Sequence, residues 1–309
     1  MFLASNVFAQ QNEYNKTLWT VAWSPDGKYL ATGGNQDELM LFDGKTFELI
    51  KTYPVKDVQL SRLKWHPFQN KLAVITQSRT FKAKILNLDN DTWINLQGLK
   101  SSSLGLDWNY SGELLAVSGL EEGEVFIYNK DGILVSRFSG DTKSVMGIDW
   151  HPTKNILVTV SSKIGVYNHL GRSIKNFKSR KEEVVLLCVE WHKSGKFFVV
   201  GDYGDFEKAE NKLVQFWNIE GEKLNEIKGS IAEYRNLRWN KKGTKLATAS
   251  DALRIWSKKG KLLAESESTN DYLWGIDWSP NGKFVITSSS KGIITIWDKK
   301  ANKIRALQY

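Results

Sequence analysis

The chain has 309 residues, 12% of them aromatic, and its 43 Lys/Arg against 34 Asp/Glu give a formal charge of +9. Such a composition suits a soluble globular protein with a large core, and no apolar run approaches the ~20 residues a membrane-crossing helix needs. The single cysteine, Cys188, excludes an intramolecular disulfide framework and a cysteine cage for a metal.

Residues 1–9 are apolar or small and uncharged, and Val7 and Ala9 stand like the −3 and −1 positions of a signal-peptidase site. No basic segment precedes them, the first lysine being Lys16. Two expectations stay open for residues 1–17: the remnant of an export signal, which makes the protein periplasmic or secreted, or an ordinary arm on a cytoplasmic protein.

From residue 18 the chain repeats. An apolar-x-Trp ending recurs at Trp23, Trp65, Trp108, Trp150, Trp191, Trp239 and Trp278, at intervals of 42, 43, 42, 41, 48 and 39 residues. A turn follows each, among them Ser-Pro-Asp-Gly after Trp23 and Ser-Pro-Asn-Gly after Trp278. Proline pre-sets φ there, and glycine supplies the positive φ that closes a hairpin. A second apolar strand comes next, then a third ending in a large apolar residue and a small polar one, as in Phe42-Asp43, Tyr128-Asn129 and Trp297-Asp298. Asp and Asn suit that slot because their side chains bond the backbone of the following turn. A fourth strand completes the unit, the last one read at KIRALQY.

Four short strands in each of seven units predict an all-β fold, a seven-bladed β-propeller of four-stranded antiparallel blades over 18–309. With this spacing and the terminal Trp297-Asp298, the chain resembles the WD40-repeat family. The Gly-His pair usual in that family is missing, so the hydrogen-bond network it builds is expected to be absent from most blades. The seven strand-ending tryptophans read as packing between blades, and the outer strand KIRALQY is expected to complete blade seven without the N-terminus.

Sites for chemistry are scarce. His66, His151 and His192 occupy one slot in three separate turns and His169 a fourth turn, which argues against a shared metal. Cys188 stands where other repeats have Gly105, Gly147 and Gly275, which predicts an inert packed thiol. The carboxylates before the tryptophans (Asp107, Asp149, Glu190, Asp277) are expected near the channel, paired with Lys64 or Arg238 in preference to a cation. No catalytic pair, metal or cofactor is expected.

Binding signals are stronger. The resemblance implies that residues four and six before each Trp sit on the narrow top face, where this family commonly meets partners. Trp19, Tyr272 and Trp274 are then expected to converge, since repeats one and seven become neighbours; Met146 and Leu104 pair across adjacent blades, with Arg235 on the opposite arc. Tyr203 and Phe206, in an insertion of repeat five, add an acidic-aromatic flap to that face. The opposite face collects the excess lysines, including Lys241, Lys242, Lys245, Lys258, Lys259, Lys261, Lys299 and Lys300, which read as scattered and without interleaved aromatics. The expected function is a non-enzymatic, monomeric scaffold that captures a protein or peptide on the top face. Alternatives are weak, non-specific association of the lysine face with a polyanion, and an enzyme with its site in the central channel.

Overall fold

A computed structural model describes residues 16–55, 59–78, 83–121, 123–140, 142–181, 184–204, 212–268 and 271–308. The described residues form seven four-stranded sheets and no helix. In each sheet the strands lie in sequence order and pair antiparallel, so every blade is an up-and-down meander. Blade one runs β1 (Leu18–Trp23), β2 (Tyr29–Gly34), β3 (Glu38–Asp43) and β4 (Leu49–Pro54). The remaining inner strands are β5 (Leu60–Trp65), β9 (Leu106–Trp108), β13 (Gly147–Trp150), β17 (Leu186–Trp191), β21 (Asn236–Trp239) and β25 (Leu273–Trp278). Blade seven is finished by β26 (Phe284–Ser289), β27 (Ile293–Asp298) and its own outer strand β28 (Lys303–Gln308), as the sequence led one to expect. The insertion residue Phe206 and the segment read as a signal or arm, up to residue 15, lie outside the described residues.

The core is not one body but a series of seams. A blade has two apolar faces and cannot stand alone in water, so each face must meet a neighbour. Seven clusters of buried side chains fill the seven seams. Ring closure joins Val21, Trp23 and Phe42 of blade one to Ile286, Ile294 and Ile296 of blade seven. All seven strand-ending tryptophans are buried in these seams.

Polar groups tie the same seams. An inner strand exposes one edge of backbone N–H groups that no fifth strand covers. The carboxylate before the tryptophan of one blade accepts the tryptophan N–H of the next: Trp23 N–H donates to Asp277 (2.8 Å), Trp150 to Asp107 (2.9 Å), Trp191 to Asp149 (2.6 Å) and Trp239 to Glu190 (3.1 Å). Several indole N–H groups donate to the preceding blade as well, Trp65 to the Ala22 carbonyl (3.1 Å) and Trp278 to that of Arg238 (3.0 Å).

The three seam histidines act on the lower face, which carries the first-to-second-strand turns. Nε2 of His66, His151 and His192 bonds the carbonyls of Gly112, Gly195 and Gly243 in the next blade (3.0, 3.1 and 2.8 Å). Each ring also meets the next blade's tryptophan edge-to-face. Nδ1 accepts backbone N–H groups of its own turn, which makes the neutral Nε2–H tautomer the one that satisfies both nitrogens. The glycines are required twice over: their φ is positive, and a Cβ would stand 2.4–2.7 Å from the imidazole.

Burial holds all three imidazole pKa values below the ordinary 6.5. With the folded value depressed, the stability these rings contribute is present above about pH 6.5 and is lost as pH falls toward the folded values. The buried channel carboxylates titrate with the opposite sign, so the effect is read as a difference between proteins. His192→Gln is expected to cost about 1 kcal/mol at pH 7.5. Its Tm deficit against wild type should narrow on acidification to pH 5, followed by thermal denaturation at each pH; a constant or widening deficit would contradict this assignment.

Candidate interaction surface

The upper face carries the links between blades. Four inner strands enter it through a bulge one residue in: the ladder register slips at Trp19 in β1, Ser61 in β5, Leu187 in β17 and Trp274 in β25. A bulged residue has no ladder partner and its side chain is re-aimed, which is how these positions are turned out at the mouth of the ring. In blades three, four and six the same position, Leu104, Met146 and Arg235, precedes the strand.

Trp19 and Trp274 meet across the closure seam with ring centroids 5.1 Å apart, and Tyr272 lies 6.1 Å from Trp274. The expected convergence of these three is present. Arg235, on the arc away from Met146 and Leu104, does more than the sequence suggested. Its guanidinium lies 4.4 Å from the centre of Trp274 and 5.9 Å from that of Trp19, and Glu233 holds its Nε at 3.0 Å. A cation over an indole face is attracted by the ring quadrupole, by about 0.5–2 kcal/mol depending on its desolvation. The cluster is fixed from behind: Trp19 Nε1 donates to Asn35 (2.7 Å), and Asn236 donates to the Trp274 carbonyl (2.6 Å). Trp274 Nε1 is buried without a hydrogen-bond partner among the described residues, and Tyr272 is 54% exposed.

Met146 and Leu104 are half-buried on blades four and three, across the ring, and the structure does not bring them to the aromatic cluster. Tyr203 is half-buried at the neck of the insertion, whose base is anchored by Asp202 accepting the N–H groups of Gly204 and Leu213 (3.1 and 2.9 Å) and pairing with Arg180. One residue escaped sequence reasoning. Ile231, in the link before β21, is 83% exposed on the same side as Arg235. An apolar residue two positions after Gly229, in a link with no strand periodicity, was the available signal.

The central channel is lined by charges of both signs, most of them in ion pairs, while Nε of Arg62 and Oε2 of Glu190 have no hydrogen-bond partner among the described residues. Lys64 pairs with Asp107 (2.9 Å) and lies 3.8 Å from Asp149; Arg238 lies between Glu190 (3.7 Å) and Asp277 (3.4 Å). Burial raises the pKa of Glu190 to about 7 and pushes those of Asp149 and Asp277 up as well. Arg62, which the sequence reading passed over, adds a third cation whose own pKa burial lowers. Among the described residues no group of three or more His, Cys, Asp or Glu is arranged to hold a metal ion.

The scattered lysines of the lower face differ in whether an acid stands beside them. In blades one to three, three of its lysines have partners: Lys28 with Asp26 (3.3 Å), Lys71 with Asp131 (3.7 Å) and Lys130 with Glu113 (2.9 Å). Lys241, Lys242, Lys245, Lys258, Lys259, Lys261, Lys299 and Lys300, in blades six and seven, form no ion pair with another described residue. Aromatics are also present where none was expected, since Phe197 and Phe216 share a cleft with Lys258 and Lys259. Their rings are already occupied: His192 stacks on Phe197 at 4.5 Å and Phe216 is buried.

Comparison with known proteins agrees with this architecture. A WD domain, G-beta repeat model matches residues 132–164 and 258–298, and an anaphase-promoting complex subunit 4 WD40 domain model matches 4–68. The chain is a seven-bladed propeller that carries WD40 repeats. Among its relatives are a periodic tryptophan protein 2 homolog of Dictyostelium discoideum, 22% identical over 93% of this chain and 29% of that protein. The mouse intraflagellar transport protein 122 homolog is 23% identical over 73% of this chain and 18% of that protein, and FIZZY-RELATED 3 of Arabidopsis thaliana 22% identical over 47% and 30%. The chain therefore spans less than a third of each of these three relatives. No helix among the described residues is long and apolar enough to cross a membrane.

Cys188 of this WD40 chain is packed in the seam, its Sγ 3.1 Å from the Tyr234 carbonyl, and burial raises its pKa to about 12. A buried neutral thiol is a poor nucleophile. Titration with a disulfide reagent at pH 8 should find no fast thiol in the native protein and one in denaturant. Fast modification of the native protein would show that the seam opens.

Proposed function

We propose that the protein is a non-enzymatic interaction scaffold that captures a protein or peptide on the upper face, at the cluster of Trp19, Trp274, Tyr272 and Arg235. The observation that carries this reading is the stack itself: two indoles and a guanidinium held together at a rim, with a half-exposed tyrosine beside them. Trp, Tyr and Arg dominate the few residues that supply most of the energy at protein interfaces. Ile231 extends the apolar part of the surface on the blade-six side.

The comparisons support the class of function. One matching model describes a domain of a subunit of a complex, and relatives are described by intraflagellar transport and by cell-cycle switching. Those descriptions belong to the relatives; here they favour a scaffold over a catalyst. The channel offers little free chemistry, since its carboxylates are engaged by backbone N–H groups and by Lys64 and Arg238.

The test is a crosslinked capture from native extract with wild type beside Trp19→Ala/Trp274→Ala, and beside Tyr272→Ala, whose exposed ring can be removed at little cost to folding. Both variants should keep the wild-type circular dichroism spectrum, and the double variant should lose the captured partner. Tyr272→Ala alone should weaken capture by about fivefold or more, as removal of a contributing interface aromatic does. An unchanged set of captured proteins would remove the upper-face assignment.

A further inference from the structure

The lower ends of several seams are closed by side chains that reach into the next blade, and the seam between blades six and seven lacks such a closure. His66, His151 and His192 close three seams as described, and Asn109 closes another by bonding Asn155 of blade four at 2.9 Å. At ring closure Pro280 lies 3.6 Å from where a Gly27 Cβ would stand. Blade six has Asn240 in the histidine slot, and its amide is folded back on its own turn. Nδ2 donates to the Thr244 hydroxyl (3.1 Å), and Oδ1 accepts the N–H groups of Thr244 and Lys245 (2.8 and 3.1 Å). Across the seam Gly282 faces open space, with no atom within 4 Å of a Cβ built on it.

The unfilled seam is a cleft of about 290 Å³ whose walls include Lys241, Lys242, Lys245 and Lys299 with Asn240 and Asn281. Among the described residues no carboxylate lines it. The acid beside Lys299, Asp298, is taken up by the N–H groups of Lys300 and Asn302 and by the Asn302 amide. Four lysines at one recess, with no carboxylate among its described lining residues, repel one another, and an anion seated among them relieves that repulsion while gaining charge-assisted hydrogen bonds.

We propose that this cleft binds a compact oligophosphate, a small anion carrying several phosphate groups and no base. Lysine offers a point charge with three rotatable donors, which serves phosphate oxygens without the planar fork that arginine brings to base edges. Among the described residues no aromatic side chain lines the cleft as a platform on which a base could stack. Its volume stands at the lower end of small-ligand sites, which run from about 300 to 1,000 Å³.

The experiment is a calorimetric titration of the full chain with inorganic tripolyphosphate at low salt. Saturable one-to-one binding is expected, falling steeply as salt is added. Lys241→Gln/Lys299→Gln should weaken it by about tenfold or more, the loss expected for two charge-assisted contacts. Lys28→Gln/Lys130→Gln, an equal change in net charge at lysines that have acidic partners, should change it by less than about twofold. Asn240→His, with its imidazole neutral, leaves the net charge unchanged and supplies the missing ring. It should plug the seam and weaken binding as much as the cleft double variant does. Absence of saturable heat, or equal weakening by both lysine pairs, would overturn the proposal. So would a single-stranded oligonucleotide that binds in a cleft-dependent way where tripolyphosphate does not.

Discussion

The structure depends on what happens at the end of each inner strand, where a tryptophan is laid into the seam between two blades. Its ring supplies apolar area that a four-stranded blade cannot bury by itself. Its backbone N–H, on the uncovered edge of the sheet, is accepted in four blades by a carboxylate of the blade before. Each blade thus finishes its neighbour. That arrangement removes the unpaired inner edge that would otherwise face the channel, and it makes blade one dependent on blade seven through Asp277.

The channel charges follow from the same constraint. A carboxylate placed to cap the next blade's tryptophan is carried into the low-dielectric centre of the ring, where burial raises its pKa and a cation is needed beside it. Lys64 and Arg238 supply that charge at positions where two blades lack the carboxylate. The faces, by contrast, are free to vary. The upper one gathers two indoles and Arg235 where the bulges of β1 and β25 re-aim their side chains. The lower one keeps lysines without ion-pair partners among the described residues beside the seam between blades six and seven, where Asn240 folds back on its own turn.

Most of the fold was legible in the sequence because a propeller is periodic, and periodicity needs no long-range information. The tryptophan spacing gives the blade count, and the turn residues give the hairpins. The convergence of Trp19, Trp274 and Tyr272 was legible once the ring was assumed closed. What could not be read were the contacts that depend on side-chain direction. Arg235 stacking on Trp274 and Ile231 standing exposed leave no periodic trace. Nothing in the pattern said that Asp107, Asp149, Glu190 and Asp277 would cap the following blade. The lysines looked evenly scattered because counting along the chain does not reveal which of them find an acid.

The central claim is that blades are joined through the tryptophan seams, ring closure included. Native-state hydrogen exchange at the Trp23 amide tests it most directly, because that N–H lies on the inner edge of β1 and its acceptor is Asp277 in the last blade. The account predicts exchange only through global opening, with the protection of a core strand. Exchange at the rate of an exposed edge amide would show that blades one and seven are not tied in this way.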